Sequence, residues 1–126
     1  MNLVVGYPLT HSLSPRLHNF VYGLENIPAA MEKFEEIKIE KIISKIRNDD
    51  ILLTAVTMPH KEKIIDYLDE VEARAAKIGS VNTIVNREGR LIGHNTDALG
   101  LERAGQGVKI KNKSVLILGA GGAARA

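Results

Sequence analysis

The chain has 126 residues, 44% hydrophobic and 25% charged, a globular balance that excludes disorder and fits one domain, or one domain with a piece of another. Seventeen Lys and Arg against fifteen Asp and Glu leave a net charge of +2, too near neutral for bulk charge to recruit nucleic acid or a membrane surface. The absence of cysteine excludes disulfides, thiolate metal sites and a Cys nucleophile, and fits a cytoplasmic setting.

Met1 to Pro8 has neither the basic segment nor the long apolar core of a secretory signal. Within it Leu3 to Val5, closed by Gly6 and Pro8, predicts a buried strand and a loop. Ser14 and Pro15 predict a helix start, with Ser14 as N-cap and Pro15 in the first turn. Leu17, Phe20, Val21 and Leu24 then fall on one helical face. Lys33 to Ile39 reads as a second strand, and Ile39, Ile42, Ile43 and Ile46 repeat the helical spacing. Ile51 to Thr57 is almost continuously apolar, as in a parallel strand covered on both faces.

Pro59 is expected to open the next helix, whose apolar stripe is Lys61, Ile64, Ile65 and Leu68. A lysine thus holds the first slot of an inward-facing stripe. Asp69 and Glu72 resemble a capping pair for a short helix through Val71, Ala75 and Ile78. Val81 to Asn86 and Leu91 to His94 flank a loop with Gly89, a hairpin pattern. Asp97 starts a helix through Leu99 and Leu101 that ends near Gly105. Gly107 to Lys113 reads as a polar connector, and Val115 to Leu118 as a buried strand running into a glycine loop. The longest apolar stretch, Val115 to Ala124, is about half of the ~20 residues a membrane span needs. The predicted fold class is α/β: a mostly parallel sheet with flanking helices, plus the first strand and glycine loop of an incomplete Rossmann-type domain.

Gly119, Gly121 and Ala124 follow a strand pattern and open a helix pattern, the context in which a glycine fingerprint carries meaning. There the first glycine turns the chain, the second admits a pyrophosphate to the backbone, and a small third residue lets helix and strand pack closely. The plainer alternative is a glycine-rich strand–helix turn. The residue that would read the ribose belongs about 20 positions later, and the chain is expected to end inside that unit.

Lys61 is the most informative single residue. A lysine drawn out of water loses part of its preference for the charged form, which suits proton transfer near neutrality; the plainer alternative is a lysine snorkelling to solvent. Its position, with Thr57 at the carboxyl end of a buried strand, favours a site, because open α/β sheets bind their ligands there. Ser12 and Ser14 are two apart in what reads as an extended loop, so both hydroxyls are expected to point one way, toward a carboxylate or polyol. Asp97, beside Asn95 and Thr96 at a helix start, stays ionised near the positive helix end and is able to pair with a lysine. Asn82 is polar within an apolar strand and needs a partner if buried. His11, His18, His60 and His94 lack metal-ligand spacing and read as loop or surface residues, so no metal is expected.

Together these segments resemble the shikimate dehydrogenase family. The likeness runs in order through Gly6 and Pro8; His11, Ser12, Ser14 and Pro15; His18 and Asn19; Val56, Thr57, Pro59 and Lys61; Gly79 to Thr83; Gly93 with Asn95, Thr96 and Asp97; and Gly119 to Ala123. The resemblance implies a substrate-binding catalytic domain over 1–106, with 107–126 forming a connector and the truncated start of an NADP-binding domain. It implies reversible reduction of 3-dehydroshikimate to shikimate with NADPH, with Lys61 and Asp97 catalytic. By the same likeness Ser12 and Ser14 would hold the substrate carboxylate. Thr57, Asn82 and Asp97 would contact ring hydroxyls or the lysine, and Gly119, Ala120, Gly121, Gly122 and Ala123 would meet NADP. Two positions depart from the family pattern: Ala55 stands where Asn is usual, and Ala73 where an acidic residue is common. The expected partner is a small-molecule substrate, with no nucleic acid or membrane; a homodimer is left open. A quinate-type relative and a non-catalytic polyol-binding module are the alternatives, and the 126 residues alone are expected to be inactive.

Overall fold

A computed structural model describes residues 1–49, 51–108 and 111–126. Six strands form one sheet in the order β2-β1-β3-β5-β6-β4. They are β1 Asn2–Gly6, β2 Met31–Glu35, β3 Leu53–Val56, β4 Glu70–Val71, β5 Thr83–Arg87 and β6 Arg90–His94. Strand β1 runs parallel to both β2 and β3, and β4 parallel to β6, whereas β5 is antiparallel to β3 and β6. The expected mostly parallel α/β sheet is what forms, with the β5–β6 hairpin as its antiparallel insert.

The apolar run of β1 is buried along its whole length because a neighbour pairs with each edge and side chains cover each face. One face carries the main core. Helix α2, Ile39–Asn48, buries Ile39, Ile42 and Ile46 against Leu3, Val5, Ile64, Ile84 and Leu91 of the sheet and its connections. The other face is thinner: among the described residues its apolar core is Val4, Leu9 and Met31, with Tyr22, Leu53 and Ala55 packed beside them. Helix α1, Ser14–Leu24, lies on this side and buries no residue completely. Its predicted apolar face stays open, with Leu17, Phe20 and Leu24 each more than 60% exposed.

Several local expectations change. Strand β2 begins and ends earlier than the 33–39 reading, because Ile39 serves α2. The α1 N-cap position is Leu13; Ser14 is the first helical residue and makes no capping bond. After Pro59 the chain makes a turn and a 3-10 helix, Lys63–Tyr67, rather than an α-helix. The reason is a tertiary contact: the Lys61 carbonyl accepts from Val81 N at 2.7 Å in place of an i,i+4 amide. Glu72 alone caps α3, Ala73–Ile78, by accepting from Ala75 N. Asp69 instead accepts from Leu91 N at 2.7 Å and clips β4 to β6. Helix α4, Asp97–Ala104, forms as expected.

Val115 to Leu118 is not a strand, and its four residues are 64–88% exposed. A strand needs a ladder partner to satisfy its amides and carbonyls, and no described strand lies beside this one. Part of the predicted connector, Lys109 and Ile110, lies outside the described residues. The glycine loop still ends in a helical turn, α5, Gly122–Arg125. Among the described residues no helix is long and apolar enough to cross a membrane.

Candidate functional site

The thin face of the sheet opens into a cleft of about 400 Å³. Its floor is apolar, made by Val4, Leu53 and Ala55. Polar groups stand at two sides: Ser14 and His18 from α1 on one, and Lys61, Asn82, Thr96 and Asp97 on the other. This is the form of a small-molecule site, an apolar surface with a few convergent polar groups.

Three chain segments build the second side. The turn after β3 presents Lys61, whose backbone is pinned by Val81 as described above. The residues before β5 supply Asn82, held by Val56 N donating to its carbonyl at 2.7 Å and its own amide donating to His94 O at 3.1 Å. The first residue of α4 is Asp97. Lys61 Nζ donates to Asp97 Oδ2 at 2.7 Å, with the two side chains 18% and 30% exposed. The second carboxylate oxygen, Oδ1, accepts from Asn82 Nδ2 at 2.7 Å. A carboxylate engaged through both oxygens has little rotational freedom, so the ammonium it faces is fixed in direction as well as distance.

Asn82 is the hub. Its amide also donates to Thr96 Oγ1 at 2.9 Å, and its Oδ1 accepts from Thr96 N at 2.8 Å and from Thr83 Oγ1 at 3.0 Å. Asn82, expected within a strand, lies just before β5, which starts at Thr83, and has its partners. Asn95 supports the same corner from beneath: buried at 2% exposure, it donates to Ser80 O at 2.9 Å and accepts from Ala98 N at 3.1 Å, capping α4. Its place beside Asp97 is a capping signal in the sequence, but the tie to Ser80 depends on the fold.

The serines do not share one cavity. Ser14 lines the cleft, whereas Ser12 lines a neighbouring surface depression with His11, Arg16 and Lys33. The expected side-by-side arrangement assumed an extended loop. Instead Ser12 N donates to Leu9 O at 3.1 Å in a turn, and Leu13 has helical backbone angles, so side chains two residues apart diverge. His18, read from sequence as a surface residue, reaches the cleft because it lies one helical turn beyond Ser14 on the same face. Its Nδ1 lies 3.4 Å from the Tyr22 hydroxyl, which accepts from Asn2 Nδ2 at 2.9 Å.

Thr57 lines this cleft and also a second cavity of about 520 Å³, shared with Lys61, Gly119, Gly121 and Gly122. The two cavities therefore meet at Thr57 and Lys61. Gly6 makes this crossing of segments possible, since a Cβ there would come within 2.5 Å of Thr57 Cγ2 and 2.7 Å of Met58 O. Gly122 abuts the lysine in the same way: a Cβ would lie 2.6 Å from Ser80 Oγ and 3.1 Å from Lys61 Cβ. Arg125 fastens the loop through an ion pair with Glu62 at 3.1 Å.

Comparison with known proteins agrees with this geometry. A family model for the shikimate dehydrogenase substrate binding domain matches residues 4–84. A shikimate dehydrogenase (NADP(+)) of Symbiobacterium thermophilum is 44% identical over 127 residues, covering 98% of this chain and 43% of the relative. One from Streptococcus gordonii is 44% identical over 125 residues, covering 98% and 44%. Among solved structures, shikimate dehydrogenase from Aquifex aeolicus superposes with a TM-score of 0.91 at 37% identity, over 99% of this chain and 49% of its own. The Thermus thermophilus enzyme in complex with shikimate gives 0.87 at 36% identity, over 99% and 50%. The chain thus spans about half the length of the relatives it matches, or slightly less. On its motifs, its fold and these matches, the chain belongs to the shikimate dehydrogenase family, through that family's substrate-binding domain.

Proposed function

We infer that this chain is the substrate-binding part of an NADP-dependent shikimate dehydrogenase, which interconverts 3-dehydroshikimate and shikimate. The observation that carries the reading is the Lys61–Asp97–Asn82 triangle at one side of a cleft whose other side holds Ser14. Reducing the ketone needs one hydride and one proton at the oxygen. Lys61 Nζ is the proton donor, and in the reverse direction the neutral amine takes the hydroxyl proton. Asp97, itself fixed by Asn82, holds that nitrogen in place and offers its carboxylate to an adjacent ring hydroxyl, so that a rigid polyol is bound in one pose. Ser14 receives the carboxylate at the far side, whereas Ser12 lines the neighbouring depression in the turn that leads into the helix.

Gly119 to Ala123 would hold the phosphate groups of the cofactor. The loop fits a phosphate-bearing dinucleotide in part: Gly119 has φ of +119°, and Gly119, Gly121 and Gly122 border the cavity that reaches Lys61. Bound there, NADPH supplies the hydride. In a Rossmann-type site the ribose is read about 20 positions after such a loop, so Gly119 to Ala123 would form one part of the site. A relative from Thermus thermophilus solved with NADP(H) and shikimate, at 35% identity and a TM-score of 0.89, supports the pairing of the two ligands.

Calorimetric titration of shikimate into the 126-residue chain tests the reading. Saturable binding that falls at least tenfold in Lys61→Ala is expected, together with no measurable NADPH oxidation when 3-dehydroshikimate is supplied. Equal binding by wild type and Lys61→Ala would remove Lys61 from the site.

A further inference from the structure

The loop that carries Ser12 and leads into Ser14 is held by charged side chains from an edge strand. Met31, Lys33 and Glu35 alternate on β2, and so project to one face of the sheet. Met31 is buried there with Val4 and Leu9. Lys33 and Glu35 continue the row beyond it, where a strand facing a core would carry apolar residues. Neither makes an ion pair among the described residues. Both reach Leu9 instead, from opposite sides of its peptide groups.

Lys33 Nζ donates to Leu9 O at 2.8 Å and to Thr10 O at 3.3 Å. Glu35 Oε2 accepts from Leu9 N at 2.9 Å. The Leu9 carbonyl also accepts the Ser12 amide, so the lysine and Ser12 share one acceptor. Leu9 itself is anchored by a side chain only 1% exposed. Lys33 and Ser12 also line the same surface depression. The first residue of α1, Ser14, follows this turn directly and faces the cleft.

We propose that Lys33 and Glu35 are positioning residues, a two-sided clasp on Leu9 that sets the Ser12–Ser14 segment against the Lys61 side of the cleft. A purely solubilising role for charges on an edge strand does not account for two exposed side chains both bending back onto one residue. Charged partners make these the stronger class of hydrogen bond, and three of them converge on the consecutive peptide groups of Leu9 and Thr10. The inference rests on the functional reading above, in which Ser14 meets the ligand's carboxylate.

The test compares shikimate with its methyl ester by calorimetry on the 126-residue chain. Wild type is expected to prefer the free acid. Lys33→Met keeps the aliphatic stem but removes the donors, and should cut affinity for the acid about tenfold while leaving the ester's nearly unchanged. Lys33→Arg, which keeps two donors in reach, should restore the preference. Glu35→Gln, carrying the weaker change, should show a smaller loss of the same kind. An unchanged acid-to-ester ratio in a folded Lys33→Met would overturn the clasp, as would an equal loss for both ligands. If Lys33→Met does not fold, the ratio in Glu35→Gln decides. Failure of wild type to bind either ligand sinks the functional reading itself, a result distinct from loss of the preference alone.

Discussion

The two faces of the sheet are covered by helices of similar length with opposite results. Helix α2 buries Ile39, Ile42 and Ile46 and closes its face, whereas α1 buries no residue completely and leaves a cleft beneath Ser14 and His18. A face sealed by interlocking isoleucines supplies stability, and it leaves no room for a ligand. A face held by three buried side chains and a polar network leaves room, and its groups are fixed by hydrogen bonds instead of by packing. Rigidity for the fold and access for a substrate are thus divided between the two sides of β1.

This contrast can be tested by substitution. Ile42→Ala, at 0% exposure in the closed face, should destabilise the chain by about 2–5 kcal/mol in urea denaturation. A loss under 1 kcal/mol would mean that the α2 face is not the main core. Asp69 sharpens the same side. Hydrogen bonding from the Leu91 amide, and then from Arg47 of α2, holds its carboxyl below the ordinary aspartate value. A depressed acid stabilises the fold above its unfolded pKa and loses that contribution as pH falls through the folded value. The stability gap between wild type and Asp69→Asn should therefore be steady near neutrality and close from about pH 4 downward. A gap independent of pH would sink the assignment.

The smallest effect belongs to the open face. Phe20→Ala, at 65% exposure, should change stability by no more than about 0.5 kcal/mol in the same urea experiment. A cost matching that of Ile42→Ala would erase the distinction between the faces. Its spacing with Leu17 and Leu24 gave no warning of exposure, since periodicity identifies an apolar face without saying what covers it.

Other features were legible to different depths. The hairpin with Gly89, the α4 start at Asp97 and the isoleucine face of α2 all form as their local patterns predict. Lys61 was conspicuous as a cation in an apolar stripe, although the stripe belongs to a turn and a 3-10 helix. Val115 to Leu118 has a strand's composition and no strand's partners. The divergence of Ser12 from Ser14 follows from one helical residue, Leu13, which no alternation rule anticipates.

Sequence alone determined the chemical inventory: one inward lysine, an aspartate at a helix start, an asparagine among apolar residues and a glycine loop after an apolar run. These are local properties, set by residue type and spacing within a few positions. Only the tertiary structure decided that Lys61, Asn82 and Asp97 meet within 2.7 Å, across as many as 36 residues of chain, and that Ser14 faces them over Ala55. Strand order brings those segments together, and strand order is settled by long-range burial and ladder pairing that no short window of sequence contains.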